Sequence, residues 1–157
     1  MKLATLVLLV ASHASEAITT IANDAAFESE VMMSSQCWAV LFTSSTRDVA
    51  EAVKITKRLG ASLPGLAIAS ADVDDVKAVC SEFNVRKRMI PRLLVFNSRA
   101  RQASIVKMVD TTLDEVLTQV KAELTENAKD AEGRYEKLTL AIGGGGGDDA
   151  PETKTEL

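Results

Sequence analysis

The chain holds a single histidine, His13, and two cysteines, Cys37 and Cys80. That scarcity excludes zinc sites built from several Cys and His and a dense disulfide framework. There is no basic surplus, because 18 Lys and Arg stand against 22 Asp and Glu for a net charge of −4. A general nucleic-acid binder normally carries the opposite balance. Long apolar runs are also missing. Leu3 to Ala11 makes about nine residues, against the ~20 that a spanning helix needs, so no membrane span is expected. What is there suits one globular domain: 157 residues, 46% hydrophobic and 25% charged. This is close to average globular usage, and a chain of this size can bury a sufficient core without staples.

The two ends read as addresses. Residues 1–17, MKLATLVLLVASHASEA, pair a positive start at Lys2 with an apolar run and a small-x-small close at Ser15-Glu16-Ala17. That is the pattern of a cleaved secretory signal, and it sends the remainder into an oxidising lumen. If His13 leaves with the signal, no histidine-dependent dyad or triad can exist. The C-terminal segment reads Lys154-Thr155-Glu156-Leu157. It resembles the KDEL-type retrieval signal, which is read by a receptor and fixes a location in the endoplasmic reticulum lumen. Gly143 to Gly147 form a tether before it, and Asp148, Asp149 and Glu152 are expected to keep the tail solvated.

Between the addresses the patterning alternates. Ile18 to Ile21 suits a short strand. Asn23 or Asp24 can cap a helix over Ala25 to Met33, with Phe27, Val31 and Met32 inward. Cys37 to Phe42 is a continuous apolar run, as in a strand covered on both faces, and Leu66 to Ala71 is expected to be the next buried strand. Val49, Ala52, Val53, Thr56 and Leu59 repeat at helical spacing, and Gly60 is expected to stop that helix. Asp74 or Asp75 is expected to cap a helix with Val76, Val79, Cys80 and Phe83 on its stripe. Leu93 to Phe96 and Ala103 to Val109 suggest a hairpin, with a turn over Asn97 to Gln102. Thr112 and Glu115 form a capping box before Val116, Leu117, Val120 and Leu124, and this last helix is expected to continue to about Leu140. The order β-α-β-α-β-α-β-β-α predicts a mixed α/β sandwich.

Three stretches, in order, resemble the thioredoxin-like domains of the protein disulfide isomerase family. WAVLFTSST resembles the central strand and catalytic turn. ADVDDVKAVCSEFNV resembles the third strand and the helix after it. Ile90-Pro91 followed by RLLVF resembles the cis-proline loop and fourth strand. The resemblance covers roughly residues 18–125. It implies one thioredoxin-like α/β fold, with a central mixed sheet flanked by helices. Residues 126–142 are then expected to form a helical extension, and 143–157 a disordered tail. It also implies a cis peptide at Pro91.

The departures from that family carry the chemistry. Its oxidoreductases place Cys-x-x-Cys after the central strand, where this chain reads Ser44-Ser45-Thr46-Arg47-Asp48-Val49-Ala50. Arg47 and Ala50 align with the cysteine positions. Thiol–disulfide exchange needs one thiolate to attack and a second thiol to resolve, so a hydroxyl cannot stand in. Leu41 takes the place of the family's buried acid, and Arg92 follows the proline where Thr is common. Cys37 and Cys80 read as packing thiols, inert in apolar surroundings, with a structural disulfide between them as an alternative. No catalytic residue, cofactor or metal is expected. What remains is a binding groove of Thr46, Arg47, Arg86, Lys87, Arg88, Ile90, Pro91 and Arg92. Five cations there suit carboxylate-bearing partners, and Met89 and Ile90 would add apolar area. Ser44, Ser45 and Thr46 serve equally well as turn formers, and the basic loop as solvated surface. The expected function is non-catalytic assistance to folding, through unfolded or acidic client polypeptides or a partner folding enzyme. The alternative is an oxidoreductase or isomerase with atypical cysteines.

Overall fold

The structure is a computed structural model and describes residues 17–97 and 101–126. The signal segment, nearly all of the helical extension and the tail fall outside these residues. Five strands form one sheet: β1 (Thr19–Ile21), β2 (Trp38–Thr43), β3 (Ala67–Asp72), β4 (Arg92–Phe96) and β5 (Ser104–Val106). Their order is β1-β3-β2-β4-β5. β3 runs parallel to β1 and β2, whereas β4 runs antiparallel to β2 and to β5. This is the mixed sheet that the residue pattern implied. Among the described residues, no helix is long and apolar enough to cross a membrane.

Four helices cover the sheet: α1 (Asp24–Phe27), α2 (Ala50–Ser62), α3 (Lys77–Glu82) and α4 (Leu113–Glu126). Alternation along the buried strands sends side chains to opposite faces. Ala39, Leu41, Leu93 and Val95 join Ile55 and Leu59 of α2 and Val116 and Val120 of α4 in one core. Val40, Phe42, Leu94 and Phe96 join Phe27, Val31, Val79 and Cys80 in the other. The second core is stitched by aromatic edges, with Phe96 5.3 Å from Phe27 and 5.2 Å from Phe83 between ring centres, both T-shaped. Each such pair is worth about 0.5–1.5 kcal/mol beyond its buried area.

Several elements differ from their sequence expectation. α1 opens under an Asn23 side-chain cap but gives way to a π turn over Glu28–Met32, where Met33 N–H reaches the Glu28 carbonyl. The wider turn lets Phe27, Val31 and Met32 all be buried. Gly60 does not end α2; it lies within it. A Cβ there would stand 2.6 Å from Ile68 Cγ1, so glycine is used for close helix–sheet approach. The turn instead comes at Gly65, which has φ 93°. Val76, not Asp74 or Asp75, occupies the cap position of α3. Asp24, remote in sequence, accepts from Val79 N–H, while Asn84 in the left-handed region (φ 53°) closes the helix. β5 is short because Lys107 N–H turns away to the Gln119 side chain. The capping box is present: Glu115 N–H donates to Thr112 Oγ1 at 3.3 Å, and Thr112 N–H to Glu115 Oε2 at 2.7 Å.

Candidate functional site

The register of β2 against β4 pairs Phe42 with Arg92. This sets the turn that follows β2 beside the loop that precedes β4. That loop holds the cis Ile90–Pro91 peptide. In the turn, Ser44 is buried and its hydroxyl hydrogen-bonds the Thr46 hydroxyl at 2.9 Å. Arg47 N–H closes the turn on the Ser44 carbonyl at 3.1 Å. Asp48 then accepts from Ala50 N–H at 3.1 Å, where α2 begins. Ser44 and Thr46 are therefore engaged in shaping the turn. Arg47 and Ala50 are both exposed.

The proline loop departs from the expected groove in two ways. Ile90 is only 4% exposed and packs into the core under α3, so it is not groove lining. A loop residue gives no period from which burial can be read. Two of the five cations also have partners of their own. Lys87 Nζ lies 2.8 Å from Asp74 Oδ1, and Arg86 Nε donates to Asn84 Oδ1 at 3.3 Å. Both line an open cavity of about 410 Å³ together with Lys77, Asp74, Ser81 and Asn84. Arg47, Arg88, Pro91 and Arg92 do not line it. Arg92, half-buried, instead directs its guanidinium to the Met89 sulfur. Lys77 is a member of the cavity that sequence reasoning missed, because a lone exposed lysine on a helix carries no signal.

The thiols stand apart from this region. Cys37 packs in the α2–α4 core and Cys80 in the α3 core, on opposite faces of the sheet. Both are free, and the disulfide alternative is overturned. Burial pushes the Cys37 thiol up to about 12. Burial, aided by the carboxylates of Asp24, Asp72 and Asp74, pushes Cys80 up to about 11. Leu41 is fully buried and paired across the ladder with Leu93. Among the described residues no three His, Cys, Asp or Glu side chains gather as a metal site. The turn and loop can thus offer cations, hydroxyls and backbone groups to a partner. The turn carries no sulfur nucleophile.

A second arrangement escaped the sequence. Arg101, in the β4–β5 connection, reaches both Glu28 and Glu82, tying the π turn to α3. Hydrogen bonds from its guanidinium hold both carboxyls below the usual range. Three exposed charges scattered over 73 residues give no pattern to read in advance.

No protein-family model matches the chain, and no curated protein matches it. Solved structures do. Thioredoxin from Malassezia sympodialis (Mala s 13), described as a member of a pan-allergen family, matches with a TM-score of 0.53 at 14% identity. The match covers 70% of this chain and 90% of that one. The J-Trx1 fragment of ERdj5 matches with a TM-score of 0.58 at 17% identity, over 73% of this chain and 53% of the fragment. At such identities the likeness concerns architecture, and together with the sheet order above it makes the fold thioredoxin-like.

Proposed function

We propose that this chain is a non-catalytic thioredoxin-like protein of the endoplasmic reticulum lumen. It assists folding by holding client polypeptides or a partner folding enzyme. One observation carries the reading. The turn from Ser44 to Val49, between β2 and α2, contains no cysteine, while the chain's two thiols are buried away from it. Without a thiolate there, exchange chemistry has no first step, whereas the cations beside Pro91 keep the ability to bind. The signal-like start and the KTEL segment support the location. The buried, poorly ionised thiols argue against an oxidoreductase with atypical cysteines.

Two assays on the purified protein test this together. Insulin reduction should stay at background, and aggregation of an unfolding client should be suppressed. Turnover that vanishes with Cys37→Ala or Cys80→Ala would overturn the reading. In cells, deleting Lys154 to Leu157 should send the protein into the medium. Equal retention of both forms would remove the location.

A further inference from the structure

The cavity between α3 and the following 3-10 turn (Lys87–Met89) has an uneven charge that the function proposed above does not use. Three cations line it, Lys77, Arg86 and Lys87, against one carboxylate, Asp74, which is already paired with Lys87. Lys77 and Arg86 are exposed, and no carboxylate pairs with either among the described residues. Ser81 and Asn84 add polar groups to the wall, and Val73 and Val85 apolar ones. Asp72 and Asp24 are not part of the lining, and each accepts a main-chain N–H: Asp72 from Asp74, and Asp24 from Val79. The lining itself therefore favours a short, acidic, extended segment.

The chain supplies one. Residues 148–152 read Asp-Asp-Ala-Pro-Glu, with three carboxylates and no cation, and five glycines stand directly before them. We propose that this acidic run docks in the α3 cavity of its own chain, with its carboxylates on Arg86 and Lys77. The reach is sufficient. Roughly 20 residues separate Glu126, the end of α4, from Asp148. A chain of that length spans about 25 Å as a coil and about 30 Å as a helix, comparable to a small domain's diameter. Carrying the segment on the same chain also raises its local concentration, to the millimolar range for a short linker, so a contact of about millimolar strength is half-occupied without help. Exposed ion pairs are individually weak, which suits a contact that opens and closes.

A spin label tests this in the full chain. Cys37 is buried but Cys80 forms part of the cavity wall, so Ala150→Cys is labelled in a Cys80→Ala background. At low salt the amides of residues 77–87 should fall to less than about half their diamagnetic intensity, and recover in high salt as screening shortens to about 3 Å at 1 M. Amides of α2, on the other face of the sheet, should keep theirs. Neutralising the segment with Asp148→Asn, Asp149→Asn and Glu152→Gln lies outside the described fold and should abolish the effect. Lys77→Glu with Arg86→Glu should do the same while the rest of the spectrum is unchanged. Broadening spread evenly over the surface, or centred on Arg47 and Arg92, would overturn the assignment. So would broadening that survives either set of charge changes. Broadening that disappears when labelled protein is diluted with unlabelled protein would mean docking between copies, and would overturn the intramolecular reading. Aggregation suppression by the neutralised variant is a separate readout, so failure here leaves the client-binding proposal intact.

Discussion

The carboxylate of Asp24 accepts the main-chain N–H of Val79 at 3.0 Å, across 55 residues of sequence. α3 has no cap of its own, and the first N–H groups of any helix lack internal partners. A side chain from α1 therefore does the work that a neighbouring residue usually does. Removing it leaves that N–H without its partner. Asp24→Ala should destabilise by about 1–2 kcal/mol, read by denaturant unfolding. Asp24→Asn should retain much of the stability. Equal loss in both variants would mean that charge, not the hydrogen bond, is what counts.

Gly60 sets two effects against each other. Alanine is a better helix former by about 1 kcal/mol, but its Cβ would press on Ile68 at 2.6 Å. Crowding of this kind costs about 1–3 kcal/mol. Gly60→Ala should therefore lower the melting temperature by several degrees. The double variant with Ile68→Ala should lose less than the sum of the two single losses.

The thiols should be chemically quiet. In buffer at pH 8, neither Cys37 nor Cys80 should be alkylated on a timescale of minutes; in guanidinium, both should be. Folded-state values near 12 and 11 also have a consequence for stability. Below the ordinary thiol pKa of about 8.5 both states are protonated and nothing changes. Above it the unfolded chain loses protons that the folded chain keeps, so stability should fall as pH rises past that point. Cys37→Ala with Cys80→Ala should flatten this alkaline slope.

At the acid end the sign is reversed. Hydrogen bonds from Arg101 lower the pKa of Glu28 and Glu82, and hydrogen bonding from the Thr112 main chain lowers that of Glu115. Groups depressed on folding stabilise the protein above their ordinary value, about 4.3 for Glu, and that contribution is lost as pH falls through the folded values. Arg101→Gln should make the acid limb of a stability profile shallower and less salt-sensitive. An unchanged limb would mean that these exposed pairs contribute nothing measurable.

Features that rest on near neighbours were legible in the sequence. CWAVLF announced a doubly covered strand, the α4 stripe announced its buried face, and Thr112 with Glu115 announced a cap whose hydrogen bonds are present. Features set by distant partners were not. Gly60 looks like a helix stop until the strand beneath it is known. Asp24 looks like a cap for α1 alone, and Arg101 like a loop cation. In the candidate site, the adjacency of turn and proline loop could be anticipated because it follows from strand order. The split of the cations could not, because Asp74 and Asn84 decide where Lys87 and Arg86 point.

Among the described residues the outermost strands, β1 and β5, are three residues long, and the longer β2, β3 and β4 lie between them. A sheet grows by offering unpaired N–H and C=O groups along its edge to another chain. Here each edge offers too few to hold one. Fibril-like stacking of copies therefore has little to start from. An extended polypeptide likewise gains little by adding itself as a sixth strand, so a grip on one is better sought in the turn and the proline loop than along the sheet edges.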